Sequence, residues 1–235
     1  IPLQFISGCS GACAYCRSAY LSVAAQPVRE VVRDIALLKQ RCGSSHFIFM
    51  NNAVNWSYDY ALDFANELIA SKADVRWTDS LMLANLDARL ADKLRESGFV
   101  RADIGVETAS RRLRKMIHKP LSSNQVLERL RLLHERGIWC DINMILGFPH
   151  ERKEDYEETI LFLKDAAQYY DNCNVEQFYI TDIAPMGRAP ESYGITIGAN
   201  PQMTEHGMRI PFDEIEGLTF KERLAMGRKA NNNLR

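Results

Sequence analysis

Leu3-Gln4-Phe5-Ile6-Ser7-Gly8-Cys9-Ser10-Gly11-Ala12-Cys13-Ala14-Tyr15-Cys16 runs from a predicted strand straight into three closely spaced cysteines. Leu3 to Ser7 is rich in apolar strand formers and Gly8 ends it, so the cysteines sit on the loop that follows a strand. In parallel α/β folds such loops converge at the C-terminal edge of the sheet, where chemistry collects. The spacing is C-x3-C-x2-C, and Gly8, Gly11, Ala12 and Ala14 keep the loop small enough to wrap a cluster and aim N–H groups at it. Thiolates are soft ligands suited to iron–sulfur clusters or zinc. Three of them with no evident fourth leave a coordination position open, as in catalytic rather than structural metal sites. A zinc knuckle with a distant fourth ligand, or merely three buried thiols, are the competing readings.

Outward from this loop, short β-branched and aromatic runs alternate with amphipathic helical windows, the pattern of repeated βα units. Pro27 opens a helix with Val28, Val31, Val32, Ile35 and Leu38 on one stripe, and Gly43 stops it. His46 to Met50 is the second predicted strand, followed by a helix carrying Ala61, Leu62, Ala65, Leu68 and Ile69. Val75 to Ser80 is the third; Asp87 caps the next helix and Gly98 ends it. Val100 to Gly105 is the fourth, with a polar turn at Glu107 to Ser110 and helical stretches at Leu113 to Ile117 and Val126 to Leu133. Ile138 to Leu146, alternating with period 2, is the fifth; a helix near Tyr156 to Ala167 leads to a sixth at Glu176 to Ile183. Six strands in about 183 residues match the roughly 30 residues of a βαβ repeat, whereas a closed eight-stranded barrel wants about 250. The expected fold is α/β, an open partial (β/α)6 barrel with a parallel sheet over residues 1–183. A flat doubly wound sheet competes, because pattern alone does not report curvature. Residues 184–235 turn toward Pro, Gly and Met (Pro185, Gly187, Pro190, Gly194, Pro201) and are expected as an irregular C-terminal extension ending in a helix near Phe220 to Ala230.

The 235 residues carry 29 Lys plus Arg against 30 Asp plus Glu, so no whole-molecule field recruits nucleic acid or anionic lipid. At 46% hydrophobic and 25% charged the chain reads as an ordinary globule, and no window supplies a membrane-spanning run. The six cysteines, three clustered and Cys42, Cys140 and Cys173 scattered, suit a reducing, cytoplasmic location rather than a disulfide framework. Because the chain opens at Ile1 directly on a strand, residues upstream are expected.

With Tyr15 as its aromatic, the loop resembles the C-x3-C-x-aromatic-C motif of the radical S-adenosylmethionine (radical SAM) superfamily. Ile104-Gly105-Val106-Glu107-Thr108-Ala109-Ser110 resembles that family's fourth-strand G-x-E-x-x-S segment. Ile145-Leu146-Gly147-Phe148-Pro149-His150-Glu151 resembles its fifth-strand G-x-P-x-E segment. The resemblance covers Leu3 to about Ile183. It implies that Cys9, Cys13 and Cys16 hold a [4Fe-4S] cluster whose open iron chelates S-adenosyl-L-methionine (SAM). It places Tyr15 beside the adenine, Glu107 and Ser110 at the ribose or methionyl end, and Gly147 and Ile145 against the adenine. Where the family's second strand often ends in Gly-Gly-Glu, this chain has Asn51 and Asn52, which are expected to bind SAM through their amides or else to form a turn.

The implied chemistry is one-electron cleavage of SAM to a 5′-deoxyadenosyl radical that abstracts hydrogen from a small-molecule or peptide substrate. An external electron donor such as flavodoxin or ferredoxin supplies the electron. Asn51 to Tyr58 and Arg76-Trp77 resemble the branch that carries an N-terminal cobalamin-binding domain and transfers methyl groups or rearranges rings, which would add cobalamin to the cofactors. A non-catalytic iron–sulfur or zinc module for electron transfer or scaffolding is the rival reading. RNA modification by the same chemistry is disfavoured, because the tail after Ala184 holds no evident RNA-binding barrel. The basic run Arg111, Arg112, Arg114, Lys115 and Lys119 reads as a solvated helix face, with Lys119 within reach of an anion at the SAM-site turn.

Overall fold

The computed structural model describes residues 1–19, 21–198, 202–204 and 207–232. Strands β1 (Pro2–Leu3), β4 (His46–Phe49), β5 (Arg76–Ser80), β6 (Phe99–Glu107), β7 (Trp139–Leu146) and β8 (Asn172–Gln177) form one six-stranded sheet in that order, every neighbouring pair parallel. Helices α1 (Val28–Cys42), α2 (Tyr58–Ala70), α3 (Ala88–Glu96), α4 (Arg111–Met116), α5 (Ser123–His134) and α6 (Lys153–Ala166) supply the crossovers. Local chemistry sets their ends as expected. Pro27 sits at the N-cap of α1, Gly43 closes it in the left-handed region (φ 64°), and Asp87 accepts the Leu90 N–H at the start of α3.

Alternate residues of each strand face the helices and build the core. Phe47, Phe49, Trp77 and Phe99 form an aromatic row, with Trp77 centred 5.1 Å from Phe49 and 4.5 Å from Phe99. Val31, Ile35, Phe64, Leu90 and Leu94 close over them from the helices. Each such buried side chain contributes roughly 2 kcal/mol. Gly98 (φ 96°) is required where α3 turns into β6: a Cβ there would lie 1.9 Å from the Val75 carbonyl. The other face of the sheet, carrying Ile48, Ser80, Asp103, Asn143 and Asn174, has no helix over it.

Two strands differ from expectation. The first is broken. β1 stops at Leu3, and Ile6–Ser7 (β2) pairs antiparallel with Ala24–Ala25 (β3) outside the main sheet. The cause is Asn51, whose Oδ1 accepts the Phe5 and Ile6 N–H groups at 3.1 and 2.9 Å and so removes the donors that ladder pairing would need. The sixth strand is Asn172–Gln177 rather than Glu176–Ile183. Phe178 and Ile180 leave the sheet because a second apolar cluster takes them, together with Phe148, Leu113, Met186 and Phe212. The asparagines that precede them are strand because their amides bond across the helix-free face.

After β8 the chain is less irregular than its composition suggests. It forms a short helix α7 (Pro185–Arg188), an antiparallel pair β9 (Ile195–Ile197) with β12 (Phe212–Glu214), a second pair β10 (Gln202–Thr204) with β11 (Gly207–Arg209), and helix α8 (Phe220–Asn232). Pro201 lies outside the described residues. Arg223, fully buried, donates to the Glu151 carbonyl at 2.5 Å and pairs with buried Glu214, which also accepts the His150 N–H at 2.8 Å. This clamp fastens α8 onto the loop after β7, where Glu151 is buried and His150 half-buried.

Candidate functional site

The three cysteines follow β2 and line one cavity of about 600 Å³ at the C-terminal edge of the sheet. Gly11 lies between two of them: a Cβ there would sit 3.4 Å from Cys9 Sγ and 3.9 Å from Cys13 Sγ. The Gly11 N–H points at Cys9 Sγ (3.3 Å) and the Ser18 N–H at Cys16 Sγ (3.4 Å), the polarity that stabilises thiolates. Burial pushes the Cys13 thiol above its ordinary pKa, and the nearby Lys119 ammonium opposes that rise. Among the described residues no three Cys, His, Asp or Glu side chains converge tightly enough to hold a single ion. A zinc ion would draw its sulfurs to about 2.3 Å from one point. Thiols that share a cleft without sharing a point suit a cubane, where each sulfur binds a different iron. Three thiols in one cleft, two of them with backbone N–H groups aimed at the sulfur, are a donor set that fits an iron–sulfur cluster.

Glu107 is buried at the end of β6, where the pairing with β7 slips by one residue and its φ is 70°. This bulge re-aims the side chain into the cavity. Its Oε1 accepts the Tyr15 hydroxyl at 2.7 Å and faces Lys119 Nζ at 3.2 Å, while Lys119 also donates to the Gly105 carbonyl at 2.8 Å. A Cβ at Gly105 would stand 2.3 Å from Glu107 Oε1 and 3.2 Å from Lys119 Nζ, so a larger residue would displace this pair. Burial, then the Glu107 charge, raises the Tyr15 pKa well above the ordinary phenol value and keeps it a hydrogen-bond donor.

A second cavity of about 390 Å³ adjoins the first through Tyr15, Cys16, Glu107 and Asn143, and Ile145 lines it. Gln177 Nε2 and Thr181 Oγ1 are buried there without protein partners, as is Trp56 Nε1 in the first cavity. Orphaned polar groups beside an aromatic ring and an aliphatic side chain suit a nucleoside, so the residues present fit SAM as well.

Not every expected residue reaches the cleft. Asn51 does not: only 5% exposed, it spends Oδ1 on Phe5 and Ile6, and its Nδ2 donates to Asp79 Oδ2 at 2.7 Å. Asn52 lines the cleft but donates to the Gly8 carbonyl at 2.8 Å, holding the base of the cysteine loop. Ser110 is fully buried behind the Glu107 turn, where it caps α4 through Leu113 N–H and donates to Asp155 at 2.5 Å. Gly147 (φ 85°) lies against Gln177, whose Nε2 would be 2.0 Å from a Cβ, and its N–H donates to Glu151. The basic run is mostly spent on the fold. Arg114 is buried and donates to the Val106, Thr108 and Leu121 carbonyls, and Arg112 pairs with Asp155. Residues that motif reading missed, Asp103, Asn143, Gln177 and Thr181, lie on or just past strands. The first two were readable from the period-2 alternation of β6 and β7.

Asp79 beneath this loop is held near pKa 7 by burial, against three hydrogen bonds from Asn51 and Ser80 that favour the charge. Burial likewise pushes Glu151 up to about 7. In the unfolded chain both titrate near pH 4. The folded state therefore binds extra protons between about pH 4 and 7, so this stability is fully present below the lower value and is lost as pH rises through the upper one. The urea midpoint is expected to fall between pH 5 and pH 8, and Asp79→Asn is expected to flatten that fall. An unchanged slope in the variant would show that Asp79 does not carry it.

A family profile described as the radical SAM superfamily matches residues 3–163. The chain is 25% identical over 169 residues to an uncharacterized methyltransferase of Pyrococcus horikoshii, covering 69% of this chain and 37% of that protein. It is 24% identical over 166 residues to the anaerobic magnesium-protoporphyrin IX monomethyl ester cyclase of Rubrivivax gelatinosus, covering 69% and 30%. It thus spans about a third of these relatives' length. Among solved structures, the radical SAM methyltransferase TsrM of Kitasatospora setae superposes with TM-score 0.79 at 16% identity, over 100% of this chain and 51% of that one. The cobalamin-dependent enzyme OxsB superposes with TM-score 0.66 at 15% identity, over 81% and 35%. No helix among the described residues is long and apolar enough to cross a membrane.

Proposed function

Because the chain belongs to the radical SAM superfamily, we propose that it binds a [4Fe-4S] cluster through Cys9, Cys13 and Cys16 and cleaves SAM reductively to start a radical reaction on an organic substrate. The observation that carries this is the single cleft in which the three thiols meet the Tyr15–Glu107–Lys119 group. When bound, the cluster and SAM supply an electron and a hydrogen-abstracting radical, with an external one-electron donor such as flavodoxin or ferredoxin behind them. The chain's own residues do the rest. Gly11 and Ser18 N–H groups stabilise thiolate charge. Tyr15 and Lys119 both bind Glu107 Oε1, which leaves Oε2 for a ligand's hydroxyl or ammonium hydrogens. Ile145 and Tyr15 wall the adjoining nucleoside cavity and keep water from it. In this reading residues 1–183 are the catalytic core and 184–235 an appended extension.

Methyl transfer with cobalamin is the finer reading, supported by the fold likeness to TsrM and OxsB. Cobalamin would be held outside these residues, because among the described ones no second parallel sheet is present. Binding of hydroxocobalamin by the full-length protein, read from its visible absorbance, tests this; no binding leaves hydrogen abstraction alone.

The central experiment is electron paramagnetic resonance of the reduced, reconstituted protein with and without SAM, together with assay of 5′-deoxyadenosine. A SAM-dependent shift of the signal and formation of the nucleoside are expected. A cluster signal indifferent to SAM would make the chain a non-catalytic electron-transfer or scaffolding module.

A further inference from the structure

On the helix-free face of the sheet, in-register rows descend from the cysteine loop. Asn143 and Asn174 pair across β7 and β8, Ser80, Asp103 and Asp141 lie one row lower, and Ile48, Thr78, Arg101 and Trp139 form the row below. All of these residues except Trp139 line a cavity of about 460 Å³ that shares Ser80, Asp103 and Asn143 with the cysteine cleft. Ile48 is 59% exposed here, an apolar shelf on an otherwise polar wall, while Trp139 lies at the far end of the lowest row, beyond Thr78 and Arg101.

The hydrogen bonds on this face have a direction. A carboxylate only accepts, so Asp103 Oδ1 must receive Asn143 Nδ2 (2.6 Å). That turns Asn143 Oδ1 to Asn174 Nδ2 (3.1 Å), and Asn174 Oδ1 to Asn172 Nδ2 (3.2 Å). Three amides thus donate in series toward one carboxylate. Its other oxygen meets only Ser80 Oγ, at the long distance of 3.5 Å. Arg101, the one cation lining this cavity, pairs with Asp141, which also accepts the Trp139 indole N–H, and Lys119 of the cysteine cleft pairs with Glu107. Asp103 is therefore an oriented carboxylate without a cationic partner among the described residues, set between the cysteine loop and an apolar shelf.

We infer that this face binds the substrate, an organic amine whose ammonium is received by Asp103 Oδ2, with its carbon skeleton spanning from the apolar shelf at Ile48 toward the cysteine loop. An anionic substrate would meet Asp103 in a cavity whose one lining cation, Arg101, is already paired, and a neutral alcohol would forgo the charge attraction. Asp103 is then the specificity-determining residue. The inference rests on the radical reading for its notion of a substrate, but it is tested by binding alone.

The test uses the reconstituted holoprotein with saturating SAM and three probes of one shape: phenethylammonium, 2-phenylethanol and 3-phenylpropionate, followed by saturation-transfer NMR. Phenethylammonium is expected to bind at least about ten-fold more tightly than 3-phenylpropionate. Asp103→Asn is expected to bring that ratio near one, and Asp103→Glu, which keeps the charge, to retain most of it, which separates lost charge from a folding defect. Equal binding of the three probes or a ratio unchanged in Asp103→Asn would overturn the inference, as would amine binding seen only in a parallel titration without SAM, which would assign Asp103 to the SAM site. Failure of the unsubstituted protein to cleave SAM would overturn the radical reading while leaving the binding ratio to stand or fall by itself.

Discussion

A Cys13→Ala variant is expected to purify without the broad visible absorbance of an iron–sulfur cluster and to form no 5′-deoxyadenosine from SAM under reducing conditions. Removing one of three thiolates leaves two irons of a cubane without protein ligands, and no other described thiol can substitute. Cys42 is exposed at the end of α1, Cys173 lies on the opposite edge strand, and Cys140 faces the helices inside the core. Burial pushes Cys140 up to about pKa 12, so it is a neutral packing group and supplies the control. Cys140→Ala is expected to keep the cluster at a cost of about 1 kcal/mol from the small cavity it leaves. Cluster retention with normal SAM cleavage in Cys13→Ala would refute the assignment of the ligand set.

Asn51→Ala is expected to be among the most destabilising single substitutions in the chain, by about 4 kcal/mol in urea unfolding. The residue closes a buried knot of four hydrogen bonds to three partners: its Oδ1 accepts from Phe5 and Ile6, and its Nδ2 and backbone N–H both donate to Asp79. Deleting the side chain strands two backbone donors and removes the bond at Oδ2 of the buried Asp79 carboxyl, each costing roughly 1–3 kcal/mol. The effect should reach the metal site, because Phe5 and Ile6 lead directly into the cysteine loop. Reconstituted Asn51→Ala is expected to hold substoichiometric iron even at temperatures where it remains folded. Stability within about 1 kcal/mol of the unsubstituted protein would show that the knot is dispensable.

Asn51 also shows where motif reading stops. From its place after the second strand it could be a ligand or a turn residue, because an amide can serve either purpose. The deciding fact is a contact 45 residues away in sequence, with the backbone of the first strand. Ser110 lies buried behind the cleft for the same kind of reason: a serine that opens a helix is a capping residue first. Phe178 and Ile180 are strong strand formers, yet a second apolar cluster outcompetes the sheet for them.

The chain order of strand, helix and turn, and the chemical nature of the cysteine loop, follow from short-range pattern. Side-chain period, caps, glycines and ligand softness are local properties, and a parallel sheet with soft donors at its C-terminal edge is their consequence. Which residues share a cleft, which amides are consumed by the backbone, and how Asp103 is aimed were decided only in three dimensions. Those outcomes depend on how buried hydrogen-bonding capacity is divided among distant segments, and no local window of sequence contains that division.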